Sequence, residues 1–139
     1  MNFKAWIVTG SLIGGLAVPV LAGVGQDAVL AQYKSQAVTA DSAFAGFSSK
    51  RGSALYMSAN TGGNPDTPSC SSCHTASPLN AGKTRAGKAI EPMAVSVSPN
   101  RFTDVAKTEK WFGRNCKTVL GRDCTAQEKG DFITYLTSL

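Results

Sequence analysis

The sequence has a single histidine, His74, and only three methionines, Met1, Met57 and Met93, so few side chains can ligate a metal through imidazole or thioether. Aromatic residues make up 8% of the chain, a modest apolar supply for a core. A length of 139 residues allows one domain. Such a chain buries a smaller share of its surface than a large one does, so an apolar cofactor would help to fill its interior. No apolar stretch beyond residue 22 approaches the roughly 20 residues that cross a bilayer, which predicts a soluble mature protein. Internal repeats and convincing strand patterns are absent, which points away from a β architecture. Basic and aromatic residues are not interleaved as they are on nucleic-acid-binding surfaces, which argues against nucleic acid as a partner.

What is present begins with a targeting pattern. Lys4 supplies a positive start, and an apolar run from Ala5 to Leu21 follows, broken by Pro19. Val20-Leu21-Ala22 then offers small residues suited to cleavage, with Val29-Leu30-Ala31 as a later candidate. This reads as an export signal over residues 1–22 rather than an anchor, because the run holds Gly10, Gly14, Gly15 and Pro19 and is short for a span. Residues 23–40 read as a signal remnant or a loose N-terminal extension, and 41–139 as the folded domain. The expected location is the bacterial periplasm.

Charge is uneven. The formal net charge is +5. From Thr75 to Lys129 there are ten Lys or Arg against five Asp or Glu, and elsewhere four against four. The basic segment either steers an acidic partner by long-range attraction or forms a solvated face.

Three helices are predicted. Asp41 or Ser42 caps the first, running to about Ser58 with Phe44, Phe47, Ala54 and Leu55 as its apolar stripe and Gly52 inside it. Thr103 or Asp104 caps the second, through about Val119. Thr125-Ala126-Gln127-Glu128 is a capping box opening the third, whose face is Phe132, Ile133, Leu136 and Leu139. Gly52 and Gly130 suggest that the first and last helices cross closely. Residues 59–69 and 77–100, rich in Gly and Pro, read as loops, and a loop as long as the second usually wraps something or serves a function.

Between those loops lies Cys70-Ser71-Ser72-Cys73-His74, the attachment pattern for c-type haem. Two thiols at this spacing add to the two haem vinyl groups as thioethers, and the adjacent imidazole reaches the iron. A thioredoxin-like redox pair would want a strand-helix-strand setting, which is missing. A four-cysteine zinc site would need Cys116 and Cys124, whose spacing is too wide. Two structural disulfides would leave His74 unexplained. One covalent haem c is therefore expected, with Cys70, Cys73 and His74 as its binding residues. Cys116 and Cys124 would pair in an oxidising compartment, closing a short loop for roughly 2–3 kcal/mol.

The sixth iron position decides the chemistry. By position alone, Met93 in Glu91-Pro92-Met93 is the default ligand, giving a plain electron carrier. Residues 82–139 resemble the sphaeroides haem protein family, a branch of the class I cytochromes c. The resemblance is carried by Gly82-Lys83-Thr84-Arg85-Ala86-Gly87-Lys88, Ile90-Glu91-Pro92-Met93-Ala94, Arg101-Phe102-Thr103-Asp104, Trp111-Phe112-Gly113-Arg114-Asn115-Cys116, Gly121-Arg122-Asp123-Cys124-Thr125 and Glu128-Lys129-Gly130-Asp131. It implies an all-α class I cytochrome c fold with helices around one haem. It also implies Asn115 as the distal, metal-bound ligand beside a Cys116–Cys124 disulfide, with Met93 left to packing. Trp111, one turn before Asn115, would line the distal pocket or simply pack in the core. The expected function is periplasmic electron transfer with a displaceable Asn115, with a diheme or membrane-linked cytochrome as redox partner. The alternative is an oxygen- or nitric-oxide-binding haem protein or oxidoreductase that uses an open ferrous site.

Overall fold

A computed structural model describes residues 24–139, so the predicted export signal over 1–22 lies outside the described residues. The elements in chain order are α1 (Val24–Ala40), α2 (Ser49–Met57), a single turn α3 (Ser71–His74), a hairpin of β1 (Gly82–Lys83) and β2 (Ala89–Ile90), α4 (Val105–Leu120) and α5 (Ala126–Thr137). The fold is helical, as expected. The two strands pair antiparallel, Gly82 opposite Ile90, inside the stretch read as a loop.

Helix α5 is the hub, with α1 and α2 packed against it. Its capping box forms: Thr125 accepts from the Glu128 N–H at 3.1 Å and the Glu128 carboxylate accepts from the Thr125 N–H at 2.8 Å. Phe132, Ile133 and Leu136 are buried, while Leu139 is exposed beyond the helix end. Edge-on aromatic contacts link the elements, with Phe132 at 5.5 Å from Phe112 and 6.3 Å from Phe102. The close crossing exists: a side chain at Gly52 would collide with the Asp131 carbonyl, and one at Gly130 with the Phe47 ring.

Two expectations are corrected. Residues 24–40 are not a loose extension. Gln26, Val29, Tyr33 and Ala37 are buried along one side of α1. Gln26 also donates to the Pro99 and Arg101 carbonyls, each at 2.8 Å. The later cleavage candidate, Val29-Leu30-Ala31, falls inside this helix with Val29 in the core. The second correction concerns α2, which starts at Ser49 rather than near Asp41. The Asp41 N–H closes the end of α1 on the Ala37 carbonyl, and the Asp41 carboxylate caps a local turn by accepting from the Ala43 N–H. Gly46, at φ +103°, then breaks the path before Ser48 caps α2.

A buried clamp holds the crossing. Asp131, 3% exposed, accepts from the Ser48 N–H at 2.6 Å and from Arg51 Nε and Nη2 at 2.7 and 2.8 Å. It therefore satisfies a donor at the start of α2 from inside α5.

Candidate haem site

The five-residue motif folds as its chemistry requires. The N–H groups of Cys73 and His74 both donate to the Cys70 carbonyl, at 3.3 and 3.1 Å, so α3 is one wound turn. Residues at i, i+3 and i+4 share a helix face, which brings Cys70, Cys73 and His74 to one side. Ser69 Oγ lies 2.7 Å from Ser71 Oγ and 3.0 Å from Ser72 Oγ, tying the entrance of the turn. The exit is held by the buried Tyr56, whose hydroxyl donates to the carbonyls of His74 and Thr75 at 2.9 and 2.8 Å. Thr75 sits at φ +64°, a left-handed conformation uncommon for a β-branched residue. The β1 strand backs onto the turn so closely that a side chain at Gly82 would strike the Cys73 carbonyl.

Electrostatics separate the competing readings of this motif. Burial, reinforced by the charge of Cys73, pushes the Cys70 thiol up to about 11. A redox-active pair needs the opposite, a thiol shifted down so that thiolate is available. The zinc reading fails because Cys116 and Cys124 are joined in a disulfide, as expected. His74 is pulled down to about 4, first by burial and then by the positive charge of Arg101, so its imidazole is neutral. Its Nδ1 is buried without a hydrogen-bond partner among the described residues. The other ring nitrogen, Nε2, also makes no hydrogen bond among the described residues and is the one left for a metal. Two thiols one turn apart beside a neutral histidine therefore fit a covalent haem.

The other predicted residues lie elsewhere. Asp104 caps α4 by accepting from the Lys107 N–H at 2.7 Å. Phe112, Cys116 and Val119 are buried along α4. Asn115 and Trp111, one turn apart, are both exposed beside that stripe, with Trp111 at 47%. The Asn115 amide makes no hydrogen bond among the described residues. The Arg114 guanidinium lies 5.9 Å from the Trp111 ring centroid, a cation–π contact. Met93 belongs to the buried core cluster at 7% exposure, its N–H held by the Pro78 carbonyl at 2.8 Å. Sequence reasoning missed Tyr56 and Arg101, because both act through backbone carbonyls distant in sequence and no residue pattern marks such contacts.

The chain is 49% identical over 124 residues to cytochrome c-type protein SHP of Cereibacter sphaeroides, covering 88% of this chain and 92% of that protein. The chain belongs to the sphaeroides haem protein family of c-type cytochromes. Residues 42–136 also match the family described as a domain of unknown function, DUF1924. A solved structure described as oxidized SHP, an oxygen binding cytochrome c, superposes with a TM-score of 0.75 at 47% identity, over 82% of this chain and 96% of that one. Oxidized cytochrome c'' of Methylophilus methylotrophus superposes with a TM-score of 0.68 at 34% identity, over 82% and 94%. Members of the sphaeroides haem protein family are c-type cytochromes, so this chain carries haem c covalently and has the class I fold expected for it.

Proposed function

We propose that Cys70 and Cys73 hold the haem as thioethers, that His74 ligates its iron, and that Asn115 is a displaceable sixth ligand in a periplasmic electron-transfer protein. The haem held by Cys70, Cys73 and His74 would supply one-electron chemistry, and would bind a diatomic gas at the position where Asn115 withdraws. What the chain contributes is control of that position. The observation that carries the reading is the contrast between two side chains. Met93 is packed in the core, whereas the Asn115 amide is exposed beside Trp111 with no protein partner. An amide oxygen is a hard, neutral and weak ligand, suited to ferric iron and readily lost from softer ferrous iron. Cys116 adjoins Asn115, so the disulfide to Cys124 limits how far the amide can withdraw.

Export through residues 1–22 is part of this reading. Among the described residues, no helix is long and apolar enough to cross a membrane. A second reading, an oxygen- or nitric-oxide-handling protein, is favoured by the description of its relative as an oxygen binding cytochrome c. It uses the same residues and differs in what reaches the site when Asn115 leaves.

The partner in the electron-transfer reading is an acidic redox protein, a diheme or membrane-linked cytochrome. Among the described residues, Arg85, Lys117, Arg122 and Lys129 are paired with carboxylates. Lys107, Lys110 and Arg114 make no ion pair among the described residues and are exposed on α4, the helix that carries Trp111 and Asn115. Charges so placed attract an acidic surface over a range that salt shortens. The electron-transfer rate with an acidic cytochrome should therefore fall about tenfold or more between low and high ionic strength, measured by stopped-flow. A flat response would reduce the basic excess to a solvated face.

A further inference from the structure

Arg101 is half-buried, and no carboxylate among the described residues lies within ion-pair distance of it. Its side chain is nevertheless fixed. Nε donates to the Pro92 carbonyl at 2.6 Å and Nη2 to the Glu91 carbonyl at 2.7 Å. Its backbone is fixed too, because Gln26 donates to the Arg101 carbonyl from α1. The residue that follows, Phe102, lies at φ +59°. Thr75 and Phe102 are the two non-glycine residues with positive φ among the described residues, and they directly follow His74 and Arg101. Strained backbone of this kind persists where surrounding structure enforces it and clusters at functional sites.

The location is also informative. Arg101 grips residues 91 and 92, and the next two residues, Met93 and Ala94, donate to the Pro78 carbonyl just beyond the haem motif. A cation removed from water without a counter-charge is costly. A guanidinium carries five N–H donors in a fork that matches a carboxylate, and Nη1 has no acceptor among the described residues.

We propose that Arg101 provides the counter-charge for a carboxylate of the covalent haem on the His74 side of the fold, and that this charge raises the reduction potential. Arg101 is a positioning residue: it holds the haem edge and biases the iron toward the ferrous state without touching the axial positions. The inference rests on the covalent haem and is independent of Asn115.

The test uses the holo-cytochrome. In the wild-type protein, resonance Raman spectroscopy should show at least one haem-carboxylate bending band at the hydrogen-bonded position. The Arg101→Gln variant should move that band to the free position. It should also lower the reduced-to-oxidised ratio at a fixed ambient potential about tenfold, which is about 59 mV for a one-electron couple. Arg101→Lys keeps the charge and should hold the potential much closer to wild type. Glu91→Gln removes the acid whose charge acts on Arg101 and should leave the band in place without lowering the potential. Two free-carboxylate bands in the wild type would overturn the proposal without any variant. So would an unshifted potential in Arg101→Gln, whatever its melting temperature, because a mere brace for residues 91 and 92 would alter stability alone.

Discussion

Replacing Asp131 with alanine is expected to destabilise the protein by about 3 kcal/mol. The carboxylate is 4% exposed and accepts three hydrogen bonds, one from the Ser48 N–H and two from Arg51. Without it the Ser48 donor, at the start of α2, loses its partner where α2 crosses α5. Leaving a buried donor unsatisfied costs about 1–3 kcal/mol, and the charge-assisted bonds to Arg51 are lost as well. Arg51 is 48% exposed and keeps its bond to the Gly46 carbonyl, so water recovers part of its share. Asp131→Asn retains an acceptor for Ser48 and should lose roughly half as much. Denaturant unfolding of the holo-protein, with the disulfide intact, measures both. A loss below about 1 kcal/mol for the alanine variant would show that the clamp is dispensable.

Asn115→Ala and Met93→Ala should separate cleanly by readout. Truncating Asn115 removes an exposed side chain with no protein hydrogen bond, so in the ferrous protein, where the amide is released, stability should change by less than about 0.5 kcal/mol. The ferric absorption spectrum should nevertheless change. Affinity of the ferric protein for azide or imidazole should rise about tenfold or more, because an incoming ligand no longer has to displace the amide. Met93→Ala should do the reverse. It removes a buried thioether from the core cluster, for about 2–5 kcal/mol of stability, with the spectrum and ligand affinities unchanged. A spectral shift in the Met93 variant alone would make Met93 the ligand and the protein a plain electron carrier.

Much of this was legible in the sequence where one local rule acted alone. The capping box at Thr125, the Asp104 cap and the one-sided apolar spacing of α5 each depend on residues within a turn or two, and each formed in place. The haem motif was equally local, because one turn of helix is enough to gather Cys70, Cys73 and His74. Helix α1 was not legible. Ala28, Ala31, Val38 and Ala40 lie on its outer side, so apolar residues surround it and hide the buried stripe through Val29 and Tyr33. The start of α2 was misplaced because Asp41 has the chemistry of a helix cap but caps a turn instead, and Gly46 then takes a positive φ that interrupts the path. Arg101 escaped notice for a different reason. Its partners are carbonyls, which every residue has, and only the three-dimensional path of the chain brings them together.

Whether Asn115 holds ferric iron and releases ferrous iron decides between the ligand assignments. Optical spectra of the intact cytochrome in both oxidation states, each recorded before and after addition of nitric oxide, test this directly. The prediction is a ferric form without the methionine–iron charge-transfer band, and a high-spin ferrous form that takes up nitric oxide on mixing. A ferrous form that stays low-spin and unreactive, or a ferric form that shows the methionine band, would contradict it.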